Sequence, residues 1–285
     1  MDLPFVKMHG LGNSYIYIDL FQFDIDEKWL PTLSKAVSNC NTGVGSDGLI
    51  LMQPSKKAAL GMRIFNKDGS EGQSCGNGLR CTAKYAYENG IVKTKRFQIE
   101  TMANIVEVEV NAIENIVHKV TINMGQPRLR RVEVPMMGDD DVFVIDEPFV
   151  INGETLKLTA LSMGNPHAVF FVDTIAHAPV ESIGSLIETD RRFPDRINVE
   201  FVEILSKNEL NFRVWERGSG VTQACGTGAC AAVVAAVLNK RINKDEEITV
   251  HLDGGDLLIK WAANNQVWMT GGADVVATGI YQFVI

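Results

Sequence analysis

The sequence has no basic stripe, no leader-like opening and no long apolar run, and each absence removes a class of function. Lys and Arg number 27 against 35 Asp and Glu, a formal net charge of −8. The electrostatic footprint of a nucleic-acid or anionic-membrane binder is missing, and neither is expected as a partner. The opening Met-Asp-Leu-Pro-Phe-Val-Lys-Met-His-Gly lacks a basic segment followed by an apolar one, and the most apolar stretch, Ala229 to Leu238, is too short to span a bilayer. A cytoplasmic location is expected. Cysteine is scarce: five, an odd number over 285 residues, with no Cys-x-x-Cys pair. That argues against a disulfide framework and for reduced thiols. The spacings Cys75-x5-Cys81 and Cys225-x4-Cys230 fit no familiar zinc pattern, so no metal is expected. No Gly-x-x-x-x-Gly-Lys-Ser/Thr loop occurs, and Gly43-Val-Gly45-Ser-Asp-Gly48, a dinucleotide pattern by letter, runs from a helix-like segment into a strand. That order is the reverse of the required one, and the segment reads as a turn. What remains is a globular chain of about two domains whose default partner is a small molecule.

The sequence contains a repeat. Met62-Arg-Ile-Phe-Asn … Gln-Ser-Cys75-Gly-Asn-Gly and Phe212-Arg-Val-Trp-Glu … Gln-Ala-Cys225-Gly-Thr-Gly align at one fixed offset without a gap. Arg63 falls on Arg213, Gln73 on Gln223, Gly76 on Gly226 and Gly78 on Gly228. The correspondence extends to Met8-His-Gly-Leu-Gly-Asn13 and Met163-Gly-Asn165-Pro-His, each leading into a strand. Duplicated domains facing each other would bring the two thiols to one cleft. The boundaries expected are residues 1–124 plus 273–285 for the half carrying Cys75, and 125–272 for the half carrying Cys225, with a polar linker near 125–141 and a strand-like C-terminus returning to the first half.

Most of the chain reads as short strands punctuated by glycine, among them Tyr15–Asp19, Leu49–Met52, Met62–Phe65, Asn198–Ile204 and Asn211–Trp215. Helical patterns follow the two cysteines, at about 77–89 and 227–240, and shorter ones begin at Pro31 and Pro179. Ala-Cys-Ala-Ala-Val-Val-Ala-Ala-Val-Leu is apolar on nearly every side and demands burial all round, which a curled sheet wrapped about the helix supplies. The expected class is α+β.

A thiol acts as a base only as thiolate, and a helix N-terminus lowers its pKa from about 8.5 toward roughly 3.5–7.5. Cys75 and Cys225 both stand at such a terminus, beside glycines that let backbone amides approach a carboxylate. Three readings of the pair are open: an acid and a base, a redox couple, or two cysteines that merely cap helices. Cys40, Cys81 and Cys230 lack the glycine frame and read as packing residues.

Five blocks, Lys7-Met-His-Gly-Leu-Gly-Asn13, Asn66-Lys-Asp-Gly-Ser, Cys75-Gly-Asn-Gly-Leu-Arg-Cys81, Gly164-Asn-Pro-His167 and Glu216-Arg-Gly … Ala-Cys225-Gly-Thr-Gly-Ala, resemble diaminopimelate epimerase in order and spacing over nearly the whole chain. The resemblance implies a cofactor-independent enzyme interconverting LL- and meso-2,6-diaminopimelate, on the route to lysine and the peptidoglycan precursor. It implies two similar domains, each a curled, mainly antiparallel sheet about a central helix, and a homodimer. Cys75 and Cys225 would be the acid and base, with His167 and Glu216 tuning the thiols and Glu216 also meeting the α-ammonium. The amides of Gly76, Asn77, Gly226 and Thr227 would hold the α-carboxylate. Asn13, Asn66, Asn165, Asn198 and Arg217 would recognise the distal amino-acid centre, where a planar guanidinium suits a carboxylate. Gly48 stands where some members carry glutamine, so that side-chain contact is missing, and Thr227 stands where serine also occurs. Other two-thiol racemases, acting on proline or hydroxyproline, are the nearest rivals, and Arg217 with the asparagines favours an acyclic substrate having a second carboxylate.

Overall fold

The computed structural model describes residues 1–73 and 75–284, and its chain contacts divide into two units, Met1–Asn123 with Thr270–Ile285, and Met124–Met269. The first unit runs β1 (Asp2–Gly10), β2 (Asn13–Asp19), α1 (Leu30–Ser38), β3 (Gly48–Gln53), β4 (Leu60–Asn66), the short β5 (Glu71–Gly72), α2 (Gly76–Glu88), β6 (Arg96–Glu100), β7 (Ile105–Ile113) and β8 (Ile116–Asn123). The C-terminal strand Asp274–Gln282 joins this sheet antiparallel to β1, with Leu3 opposite Tyr281; the final residue of the strand-like terminus expected from the sequence, Ile285, lies outside the described residues. From there the order is β1, β2, β3, β4, β6, β7, β8. Among the described residues β2–β3 and β4–β6 pair in parallel, and the other neighbours in this order are antiparallel.

Helix α2 packs against β1 and β2 and also against β7 and β8, so the sheet curls around it. Helix α1 covers the opposite face of β2, β3 and β4, where Ile16, Ile18, Leu49, Leu51 and Phe65 meet Leu30, Leu33 and Val37. With helices on both faces, β3 is apolar at consecutive positions, Leu-Ile-Leu-Met, instead of alternating.

The second unit repeats the plan with β9 (Val144–Ile151), β10 (Glu154–Ser162), β11 (Pro166–Phe171), α3 (Val180–Glu188), β12 (Asn198–Ile204), β13 (Glu209–Glu216), β14 (Gly220–Val221), α4 (Gly226–Leu238), β15 (Glu247–Leu252) and β16 (Gly255–Trp261). Its strand order is β9, β10, β11, β12, β13, β15, β16, again with two parallel contacts, β11–β12 and β13–β15. Helix α4 is surrounded by β10, β11, β12, β13 and β16, and every residue from Gly228 to Ala236 is buried, as its all-round apolar character requires. Helix α3 covers the other face of β12 and β13.

The α+β class with two similar, mainly antiparallel halves about central helices matches the sequence reading. One assignment needs correction: Cys40 is exposed beyond the end of α1, while Cys81 and Cys230 are buried as expected of packing residues.

Candidate active site

Both thiols are helix N-caps. Cys75 leaves the extended backbone at φ −148°, ψ 116° and its sulfur accepts the Gly78 N–H at 3.4 Å. Cys225, at φ −114°, ψ 104°, accepts the Gly228 N–H, likewise at 3.4 Å. Such a cap satisfies one amide that the helix leaves without an intrahelical partner, whereas the N–H groups of the first helical positions, Gly76, Asn77, Gly226 and Thr227, remain directed out of the helix end. Glycine three residues on leaves room at both caps: a Cβ there would lie 2.6 Å from Ile50 Cδ1 at position 78, so the end of that side chain would have to turn away, and 3.0 Å from Glu200 Oε1 and the Phe212 ring at position 228, where the neighbours would have to give slightly.

Around Cys75 the side chains form a continuous network. The sulfur donates to Asn13 Oδ1 at 3.6 Å, and the Asn77 amide donates to the same oxygen at 3.2 Å. Asn13 enters β2 after a left-handed turn at Leu11 and Gly12, φ 56° and 83°. Its amide nitrogen donates to Asp47 Oδ2 at 2.9 Å, and buried Arg80 donates to Asn77 Oδ1 at 2.9 Å. Asn66, at the end of β4, donates to Ser70 Oγ at 2.9 Å, and no hydrogen bond joins it to this network among the described residues.

In the second unit the Cys225 sulfur lies 3.5 Å from Thr227 Oγ1, which accepts from Asn165 Nδ2 at 3.2 Å. Asn165 Oδ1 lies 3.0 Å from His167 Nε2, and His167 Nδ1 lies 2.6 Å from Glu200 Oε1. Asn198 is buried, donating to the Pro166 carbonyl at 2.8 Å and accepting the Arg217 N–H at 3.0 Å. Arg217 itself is exposed, with Nη1 on the Asp195 carbonyl at 2.9 Å. Glu216 ends β13 and accepts the Thr222 hydroxyl. Two carboxylates escaped the sequence reading, Asp47 in the Gly43–Gly48 turn and Glu200 within β12. No motif marks either; the one available signal is that Glu200 is flanked by Val199, Phe201 and Val202, in a strand whose other glutamate, Glu203, lies nearer its end.

The electrostatics correct one expectation. Burial pushes the Cys75 thiol up, against the Gly78 N–H, the Tyr15 hydroxyl, the Asn77 amide and the charge of Arg80. Burial pushes Cys225 well above the usual thiol value, helped by the negative charges of Glu216 and Glu200 and opposed by Thr227 and the Gly228 N–H. The helix N-terminus acts in the expected direction on both sulfurs, but desolvation outweighs it, so both resting thiols hold their protons. Glu200 is likewise raised by burial, with His167 opposing. Among the described residues no group of His, Cys, Asp and Glu is arranged to hold a metal ion, and no helix is long and apolar enough to cross a membrane.

Comparison with known proteins bears on these two centres. The family model for diaminopimelate epimerase matches residues 5–130 and 159–276, which include both cysteines. The diaminopimelate epimerase of Oceanobacillus iheyensis is 64% identical over 283 residues, covering 99% of each chain. That of Geobacillus kaustophilus is 57% identical over 279 residues, covering 98% of this chain and 96% of its own. Among solved structures, a PhzF-family phenazine biosynthesis protein of Bacillus anthracis superposes with a TM-score of 0.73 at 15% identity, over 99% of this chain and 100% of that one. A probable proline racemase from Agrobacterium radiobacter gives 0.70 at 16% identity, over 99% and 93%. At such identity the likeness is one of fold.

Proposed function

Because the chain belongs to the diaminopimelate epimerase family, we propose that it interconverts LL- and meso-2,6-diaminopimelate without a bound cofactor, using Cys75 and Cys225 as the acid–base pair. The observation that carries the reading is the repeated cap: two thiols, each bonded to the third amide of its helix at 3.4 Å, each on the central helix of its own unit.

An α-hydrogen of an amino acid is a very weak acid, so inversion at carbon without an electron sink needs a matched base and acid and strong stabilisation of the developing charge. One sulfur, as thiolate, removes the α-proton; the other, as thiol, delivers one to the opposite face of the carbon, and the roles exchange in the reverse direction. A pair of thiols that hold their protons at rest supplies the acid readily, and the base forms by loss of one proton. The amides of Gly76, Asn77, Gly226 and Thr227 take the α-carboxylate at the positive helix ends, where charge spreading into it is stabilised. His167 and Glu216 shape the surroundings of Cys225, and Glu216 meets the α-ammonium. Asn13, Asn66, Asn165, Asn198 and Arg217 select the distal amino-acid centre, the exposed Arg217 guanidinium taking its carboxylate.

The working form is a cytoplasmic homodimer. The C-terminal strand, bonded to β1, leaves Val275, Val276 and Ile280 exposed, an apolar edge that a second copy of this chain would cover.

The test is incubation of LL-diaminopimelate with the protein in heavy water, no cofactor being added. Appearance of the meso isomer carrying α-deuterium is expected. Absence of both exchange and isomerisation defeats the proposal, and oxidation of the thiols without exchange would indicate a redox protein.

A further inference from the structure

In the second unit a chain of hydrogen bonds leads from a buried carboxylate to the Cys225 sulfur, and its members fix one another's direction. Glu200 and His167 are both wholly buried, with Oε1 and Nδ1 2.6 Å apart. On its other side, His167 Nε2 lies 3.0 Å from Asn165 Oδ1. An amide oxygen only accepts, so Nε2 carries a proton. With its oxygen so occupied, Asn165 turns Nδ2 toward Thr227 Oγ1, at 3.2 Å. The hydroxyl oxygen therefore receives one hydrogen and retains its own, and the Cys225 sulfur stands 3.5 Å away to accept it.

The opposite polarity is conceivable. If His167 carried a single proton, on Nδ1, the bare Nε2 would require a donor; Asn165 would turn over, and Thr227 would give its hydrogen to the amide oxygen instead of the sulfur. What selects between the two is the buried pair. One proton shared between Nδ1 and Oε1 and another on Nε2 leave Glu200 and His167 neutral together, whereas the single-proton form leaves a net negative charge with no exposure to water. Glu200 Oε2 has no hydrogen-bond partner among the described residues, so a proton placed there to balance that charge would be a buried donor without an acceptor.

We infer that the Thr227 hydroxyl is a directed donor to the Cys225 sulfur, and that Glu200 is the positioning residue that sets its direction through His167 and Asn165. The first unit differs: there the asparagine presents its oxygen to the thiol itself, and the hydroxyl beside Cys75 is that of Tyr15 on β2 and not of a residue in the first turn of the helix. The donor favours the Cys225 thiolate against the nearby negative charges of Glu216 and Glu200. The inference deepens the two-thiol reading and rests on it only in taking Cys225 as a sulfur that gains and loses a proton.

The experiment reads the thiol without substrate, so its failure is distinguishable from absence of epimerase activity. Alkylation of Cys225 by iodoacetamide, followed by peptide mass spectrometry across pH, is compared between the parent protein and T227V, which replaces the hydroxyl by a methyl and keeps the backbone amide. The expected result is a fall of about tenfold at neutral pH, with Cys75 unchanged as internal control, since a hydrogen bond to a charged group is worth about one decade in equilibrium. T227S, which keeps the hydroxyl, is expected to recover most of the loss. An unchanged or faster Cys225 in T227V overturns the inference, as does T227S behaving like T227V. In case T227V does not fold, nitrogen-15 NMR of histidine-labelled parent protein decides: His167, identified by loss of its signals in H167Q, should show Nε2 protonated at neutral pH. A bare Nε2 overturns the proposed polarity.

Discussion

Asp47 holds Asn13 in one orientation. Its Oδ2 accepts the Asn13 side-chain amide at 2.9 Å and the Ser14 N–H at 2.8 Å, which leaves Asn13 Oδ1 facing the Cys75 sulfur and the Asn77 amide. Without the carboxylate the amide is free to turn and offer a donor where an acceptor now stands. D47A is therefore expected to lower kcat/KM by about tenfold, the value of one well-placed hydrogen bond. Asp47 is exposed, so thermal unfolding should move by only a few degrees. Steady-state kinetics beside a thermal scan check both, and full activity in D47A would show that Asn13 needs no such support.

Removal of either thiol tests the acid–base assignment more severely. C75A and C225A each delete one half of a pair that must act together, and each should reduce epimerisation by about 10²-fold or more. Binding of diaminopimelate, followed calorimetrically, should survive in both, because backbone amides rather than sulfur hold the carboxylate. Activity within a few fold of the parent in either variant excludes the mechanism.

The two raised thiols also give stability a pH dependence of defined sign. In the unfolded chain a cysteine loses its proton near pH 8.5, whereas burial makes Cys75 and Cys225 retain theirs to higher pH in the fold. Their contribution is thus fully present below the unfolded value and is lost as pH rises through the folded ones. Urea midpoints measured from neutral to alkaline pH should decline, and the decline should be shallower in C225A. A slope unaffected by that substitution would show that the Cys225 proton is not linked to folding.

Much of this architecture is legible in the residues. The helices α2 and α4 announce themselves by a cysteine–glycine start and an asparagine at the end, α4 by an apolar body as well, and their caps fall at Asn89 and Asn239. What the residues conceal is mostly non-local. Strand β1 contains Pro4 and alternates poorly, and it is fixed by pairing with a segment some 270 residues later. The hairpin β9–β10 does carry a local signal: Asn152-Gly153 takes φ 50° and 79°, the mirror-image turn that favours this dipeptide. At the site, the cysteines, His167 and the asparagines carry motif signals. Asp47 and Glu200 do not, since a carboxylate that orients another side chain looks in sequence like one that faces water. The thiol electrostatics are concealed for a related reason, because burial is a property of the packed helix and not of its first turn.

Gly48 offers a test of packing beside the site. It pairs with Asn66 across β3 and β4, and a Cβ there would lie 2.2 Å from the Phe65 carbonyl oxygen and 3.0 Å from the Tyr15 ring. The glutamine of some relatives therefore has no room on this backbone. G48A is expected to destabilise the protein by about 1–3 kcal/mol through overpacking, and G48Q by more. Because Tyr15 hydrogen-bonds the Cys75 thiol, Cys75 alkylation should change in the same variants. Unfolding midpoints equal to the parent's would show that the two strands separate easily at this point.

The loop that carries Glu216 and Arg217 is anchored from behind by Glu188 at the end of α3. One carboxylate oxygen accepts the Trp215 indole N–H at 2.7 Å, the other the Gly218 N–H at 2.8 Å, and Arg196 lies 3.5 Å from it. Glu188 is 6% exposed, so E188A would leave the half-buried Trp215 indole without its acceptor, whereas the Gly218 amide stands in an exposed turn where water can replace the carboxylate. A loss of about 1–3 kcal/mol in stability is expected from the one orphaned donor. The kinetic effect should fall on KM and kcat together, because the loop carries both Arg217, assigned to the distal end of the substrate, and Glu216, assigned to the α-ammonium and the surroundings of Cys225, whereas the Cys225 cap rests on Gly228 and is untouched. E188Q, which can still accept with one oxygen, should lie between the parent and E188A. Kinetic constants equal to the parent's in E188A would show that the loop keeps its place without this anchor.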